Sequence, residues 1–337
     1  MEERNHGVTI STISILKVLF ALLLVMFLWA IKEILLLLVI SIIIASAIDP
    51  LADYLAKRKI PRGLSVLLVY AIFIGIFTMI GMLLAPPISQ QFKQISESNF
   101  NETFQDKIGL YRDTSLGQSV EENIKSWAGN FSQTVFNTTR GVITGFLSII
   151  TVLVISFYLT VEENGMKNFI RNLTPYRHQA YAHKLMNKIQ KKMGSWVLGQ
   201  LILSGVIFGV TYIGLTLLKV EFALVLALMA GVLEIVPYIG PFLALIPALF
   251  FAFLQSPGLA ISVLVLYIVI QQLENHVLVP VVMSKSVGLN PVLVILGILV
   301  GGTLGGIMGA IIAVPILSGI SVFVSDMFEI RAEGEES

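Results

Sequence analysis

The stretch that decides the fold reads 271-QQLENHVLVPVVMSKSVGLNPVLVILGILVGGTLGGIMGAIIAVP-315. A polar cluster, Gln271, Gln272, Glu274, Asn275 and His276, closes an apolar run that begins near Leu259. Pro280 and Pro291 follow, flanking the lone Lys285. Glycines then fall at 297, 301, 305 and 309, with Gly302 and Gly306 beside them. From Ser286 to Ser325 there is no charged side chain. A soluble domain would not leave so long a segment bare of charge. A bilayer segment must, because an ionised group at mid-depth costs roughly 2.5–3.5 kcal/mol on insertion scales.

Working outward, the whole chain has this character. Of its 337 residues 56% are hydrophobic and 13% charged, about half the charge of an ordinary soluble protein. Several apolar runs approach the roughly 20 residues needed to cross a bilayer, and they are continuous rather than alternating, which excludes a β-barrel. The expectation is an all-α, polytopic helical membrane protein with seven or eight membrane segments. A net charge of +1 argues against a nucleic-acid partner, and with no cysteine there is no disulfide framework and no thiolate metal site.

Ile13–Ile31 and Ile34–Ile48 read as a helical hairpin turning at Lys32-Glu33 and stopped by Asp49-Pro50. The first run is too long for a signal peptide and a second follows at once. Leu64–Ala85 is a third span, closed by Pro86-Pro87, so 1–12 is an N-terminal tail and 13–87 carries three transmembrane helices. Residues 88–140 form a polar insertion with five Lys/Arg against six Asp/Glu, and apolar residues such as Phe92, Ile95, Trp127 and Phe131 suggest amphipathic helices. A fourth span covers 141–161. Residues 162–195 form a basic amphipathic segment, and 196–325 a membrane core with two broken segments, 222–254 and 290–324. A polar tail, 326–337, ends the chain. Lys/Arg density is high at 57–62 and 167–192, which places those loops, and both termini, in the cytoplasm, with 88–140 outside.

The broken segments hold the candidate chemistry. Phe222–Val236 is about 15 residues, roughly 22 Å as a helix, short of a core of roughly 30 Å. Its partner from Pro241 to Leu254 is equally short. The pieces read either as two short spans or as the two arms of a re-entrant hairpin; mid-segment breaks favour the hairpin, and non-helical backbone at membrane depth must be covered by protein or by a watery cavity. The break Pro237-Tyr238-Ile239-Gly240-Pro241 has more breakers than helix packing requires. Glu234 stands three residues before Pro237, whose ring removes a donor and frees a carbonyl one turn earlier. A carboxylate beside freed carbonyls suits a cation or proton.

Glu274 shares a helical face with Gln271, and Asn275 lies four residues from Gln271. Two readings of Glu274 stand: a membrane carboxylate supported by amides, or an acid solvated at the headgroups. His276 has no second ligand at metal spacing and reads as interfacial. The glycine ladder from 297 to 309 lets helices approach closely. Its functional variant is that Gly301-Gly302 and Gly305-Gly306 break the helix and line a path. No P-loop, HExxH or GxSxG pattern occurs, so the chain does not read as an enzyme and no cofactor or metal is expected.

These residues together resemble the autoinducer-2 exporter family of bacterial permeases, over most of the chain. The resemblance rests on Pro237–Gly240, on Gln271, Glu274, Asn275, Pro280, Pro291, Gly301, Gly302, Gly305, Gly306, Gly309 and Pro315, and on Phe157-Tyr158-Leu159 with Glu162. Gly199-Gln200 also fits, whereas Thr160-Val161 before the acid departs from the pattern. The resemblance implies a multi-span inner-membrane permease. It would export an autoinducer-2-like solute or exchange sodium or lithium for protons, and would assemble as a homo-oligomer, a pentamer being one implied form. Its partners would be the lipid bilayer and a small polar solute or monovalent cation. The expected path residues are Glu234, Glu274, Gln271, Asn275, Pro237, Tyr238, Gly240, Pro241, Gly301, Gly302 and Gly305. A non-transporting membrane scaffold is the competing expectation.

Overall fold

The computed structural model describes residues 12–97, 148–162, 174–283 and 289–335, and among these every regular element is helical. The first four are α1 (Thr12–Ala30), α2 (Lys32–Ala56), α3 (Arg62–Glu97) and α4 (Ser148–Val161). A single turn at Tyr176–His178 leads into α5 (Gln179–Leu217). Then come α6 (Ala223–Leu233), α7 (Ile239–Gln255), α8 (Pro257–Leu273), a π-helical turn (Glu274–Leu278) and α9 (Val279–Met283). The last is α10 (Pro291–Glu335). Five stretches are long and apolar enough to cross a bilayer: Lys32–Ala56, Arg62–Pro87, Gln179–Leu217, Pro257–Met283 and Pro291–Phe328. With the shorter apolar helices beside them, this is a polytopic helical membrane protein. Most of the 88–140 insertion and Lys285 lie outside the described residues.

α5 is the axis. α2, α6, α8–α9 and the second part of α10 all pack against it, and the contacting residues show that each runs antiparallel to it. Small residues set the closest approaches. A Cβ at Gly194 would overlap the Ser46 carbonyl of α2, one at Gly231 would crowd Phe208 and the Ser204 carbonyl, and Gly199 sits on Val282 and Met283 of α9. The main core joins α5 through α10, with Trp196, Leu203, Leu226, Ala248, Val263 and Val314 at its centre. A second core forms where α2, α3 and α4 meet, around Ala52, Val66 and Tyr70. There Tyr70 donates to Ser156 Oγ at 2.7 Å, and Arg62 bridges Asp49 and Asp53 at 2.6 Å each while donating to the Thr160 carbonyl at 3.1 Å.

The structure corrects four local expectations. Lys32-Glu33 is not a hairpin turn. Ile31 N donates to Phe27 O and Leu35 N to Ile31 O, both at 3.0 Å, so the helical ladder passes through and Ile31 (φ −98°, ψ 10°) makes only a kink between α1 and α2. Asp49-Pro50 does not stop α2, which continues to Ala56. A proline removes one bond to the carbonyl four residues back, here that of Ser46, and Gly194 is the residue packed against it. Pro86-Pro87 do not close α3, which runs on to Glu97. Pro241 breaks nothing either: it sits in the first turn of α7, where a missing N–H is no loss.

Two helix starts use one device. Ser256 Oγ accepts from Leu259 N at 3.1 Å with Pro257 opening α8, and Asn290 Oδ1 accepts from Val292 N at 2.9 Å with Pro291 opening α10. A capping oxygen followed by proline orients both helices at their base.

Candidate functional site: two broken hairpins

α6 and α7 form the first broken hairpin. At 11 and 17 residues they are about 16 and 26 Å long. The helix is interrupted from Glu234 to Tyr238. Pro237 cannot donate to Leu233 O, and Val236 N takes that carbonyl instead at 3.0 Å in a tighter turn. Tyr238 adopts φ +65°, a left-handed conformation costly for a tyrosine. The tight return is possible because residue 240 is glycine: a Cβ there would strike Leu233 O and Glu234 N. The carbonyl that a side chain reaches is not the one Pro237 frees but that of Glu234, which accepts from Gln200 Nε2 of α5.

Glu234 is completely buried, and both of its carboxyl oxygens lack a hydrogen-bond partner. Glu274 approaches from α8 and is 5% exposed, with its Oε2 unpartnered. The two carboxyl groups lie within electrostatic reach of one another. Gln200 Oε1, Ser204 Oγ one turn further along α5, and Tyr267 Oη two turns before Glu274 are also buried without partners. Such orphans are rare in folded proteins, and each costs about 1–3 kcal/mol. An unpaired ionised carboxylate costs more, so a buried pair holds a proton or a cation in at least one of its states. Chemically, such a set can hold a proton or a small cation.

The π-helical turn positions Glu274. Val279 N donates back to Glu274 O across five residues, and the widened turn changes the face on which successive side chains emerge. Glu274 turns inward, Gln271 is half-buried, and Asn275 and His276 are exposed. Asn275 thus leaves the face it was expected to share with Gln271. His276 Nδ1 lies 3.0 Å from the Gln272 carbonyl. Tyr238 remains 36% exposed at the mouth of the break.

α10 is the second broken hairpin, and its break is dry. Only Gly305 (φ −130°) and Gly306 (φ 61°, ψ −147°) leave helical geometry; Gly301 and Gly302 are helical. The two arms fold back so that Gly301 and Gly309 lie backbone against backbone, Gly297 meets Leu317 and Gly302 meets Ala310. Gly305 faces Leu36 of α2. α10 packs on α5 and α2 rather than on the α6–α7 pair, so Gly301, Gly302 and Gly305 are not brought to the carboxylates. Sequence reading passed over Gln200, Ser204 and Tyr267 as site residues. Gln200 and Ser204 could have been noticed as polar groups one turn apart in an apolar span, but nothing in the sequence announces that Tyr267 is unpartnered.

A polytopic helical bundle with a broken, acid-bearing hairpin at its core defines a membrane transport protein, and the comparisons agree. The family model described as AI-2E family transporter matches residues 18–329, and the chain belongs to that family. YueF of Bacillus subtilis (strain 168), provisionally named a transport protein, is 28% identical over 80% of this chain and 78% of its own length. YrrI of the same organism, similarly named, is 28% identical over 90% of this chain and 89% of its own. PerM of Escherichia coli (strain K12), provisionally named a permease, is 24% identical over 85% of each.

Proposed function

We propose that this chain is a secondary permease of the inner membrane that exports a small polar solute of the autoinducer-2 type, driven by proton or cation movement through the Glu234–Glu274 pair. The observation that carries the reading is the pair itself: two buried carboxyl groups, three of their oxygens unpartnered, within electrostatic reach of one another beside a helix break. In this reading α6–α7 is a re-entrant hairpin entering from the outer face, opposite the basic loops, and Gln200 steadies its tip. Gln271 stands beside the carboxylates to hydrogen-bond a solute.

The two unpartnered carboxyl oxygens of Glu234 favour a second reading, sodium or lithium exchange for protons, in which the carboxylates alternate between the two cations. Proteoliposome flux separates the two. In the exchanger, adding sodium or lithium collapses an imposed pH gradient. In the exporter it does not, and cells lacking the gene retain solute. Either way Glu234→Gln and Glu274→Gln abolish coupled flux; wild-type rates in both variants overturn the site, as a scaffold would require.

A further inference from the structure

We propose that the groove between the ends of α2 and α5 is a seat for the phosphoethanolamine headgroup of a membrane lipid. α2 and α5 cross at Ser46 and Gly194 and then diverge, opening a polar groove of about 410 Å³. Asp49, Asp53 and Lys57 line one wall, and Asn187, Gln190 and Lys191 the other.

The groove lies at the level of the lipid headgroups. Asp49 is the first charge on α2 after Glu33, Lys192 is the last on α5 before its long apolar run, α3 begins at Arg62, and α10 regains charge at Asp326. Contacts between Ser46 and Gly194, Met193 and Gly319, and Lys188 and Asp326 bring these transitions to one height. Long apolar helices end and charged ones emerge there together, as at a membrane surface.

The charge pattern selects the headgroup. Lys57 and Lys191 stand on opposite walls and belong to none of the ion pairs among the described residues. Two lysines facing each other across a groove suit a phosphate between them. Arg62 binds Asp49 and Asp53 from behind, yet the Asp53 side chain stays 48% exposed. That carboxylate would repel a purely anionic headgroup but accepts hydrogen bonds from a primary ammonium. With Arg62 already holding both acids, a divalent cation has no vacant carboxylate pair. Phosphate between the lysines and ammonium at Asp53 together describe phosphoethanolamine, and the apolar flanks of the bundle at this height supply room for acyl chains.

Native mass spectrometry of the full chain in detergent tests this, with phosphatidylethanolamine, phosphatidylglycerol and phosphatidylcholine of identical acyl chains in equal amounts. The wild type should retain phosphatidylethanolamine about fivefold over the other two. Lys57→Gln with Lys191→Gln should lower its retention about tenfold or more, and Asp53→Asn should remove the preference over phosphatidylglycerol. Size-exclusion elution at the wild-type position shows the variants folded, and the wild-type comparison stands without them. Equal retention of all three lipids overturns the proposal, as does wild-type retention in the lysine variant. So does displacement of the lipid by an equal concentration of soluble O-phosphoethanolamine, which would make the ligand a free metabolite.

Discussion

The α6–α7 hairpin and the α10 hairpin are both helices snapped inside the hydrophobic bundle, yet they are filled in opposite ways. In α6–α7 the break exposes a carbonyl to Gln200 and leaves Glu234 buried within electrostatic reach of Glu274, both with unpartnered carboxyl oxygens. In α10 the break sits at Gly305-Gly306, and the arms are closed by glycine on glycine with no polar side chain between them. A broken helix is therefore not a site in itself. The chemistry comes from what the break leaves unsatisfied: no unpartnered polar side chain lies beside the α10 break, and the buried orphan of that helix, Ser318 Oγ, sits about three turns further along its second arm. The α10 hairpin is packed glycine on glycine; the α6–α7 hairpin is where the proposed function puts a charge.

Variants can break or sharpen that contrast. The largest effect should come from Glu234→Gln, with Glu274→Gln beside it: coupled flux in proteoliposomes should fall by about 100-fold, the scale of losing a charge-assisted interaction, while Tm in detergent rises or holds because a buried charge has been removed. A matching loss of transport from Thr303→Gln in α10 would erase the distinction. Gly309→Val should do the reverse, lowering stability by about 3 kcal/mol or more because its side chain must enter the Gly301 backbone; thermal melting measures it, and flux per folded molecule should persist. Gly306→Ala should cost about 1–3 kcal/mol, since φ 61°, ψ −147° is a glycine-only conformation although the space around it is open. Smallest is Asp326→Asn, which removes the charge paired with Lys188, the lysine side chain 41% and the aspartate side chain 11% exposed; a loss of about 1 kcal/mol in melting is expected, reduced by salt.

Much of the fold was legible because lipid imposes a strong code. Long uncharged runs have one dominant physical meaning in a bilayer protein, and glycines four apart in α10 signal close helix approach. Proline was the misleading signal. Pro50, Pro86, Pro87 and Pro241 read as stops or breaks, but α2 and α3 carry the first three inside continuous helices, with Gly194 packed on the Ser46 carbonyl, and Pro241 sits in a first turn where no N–H is needed. Only Pro237 coincides with a true interruption, because Gly240 lets the chain fold straight back.

Of the site, the two glutamates were legible as acids in otherwise uncharged segments. Their meeting was not. It depends on the π-helical turn at Glu274–Leu278, which rotates Glu274 inward and leaves Asn275 outside, and no residue type encodes that turn. Gln200 was hidden for a related reason: its partner is a backbone carbonyl, that of Glu234, which only the interrupted helix leaves available.

The most direct measurement is carbodiimide modification of the wild-type protein in membranes, read by peptide mass spectrometry. Dicyclohexylcarbodiimide enters from the lipid and reacts with protonated carboxyl groups held away from water. The account predicts N-acylurea at Glu234 or Glu274, suppressed when the transported cation or solute is added. Absence of label at both positions, with other carboxyl groups in the same sample modified, or labelling indifferent to every candidate solute, would contradict it.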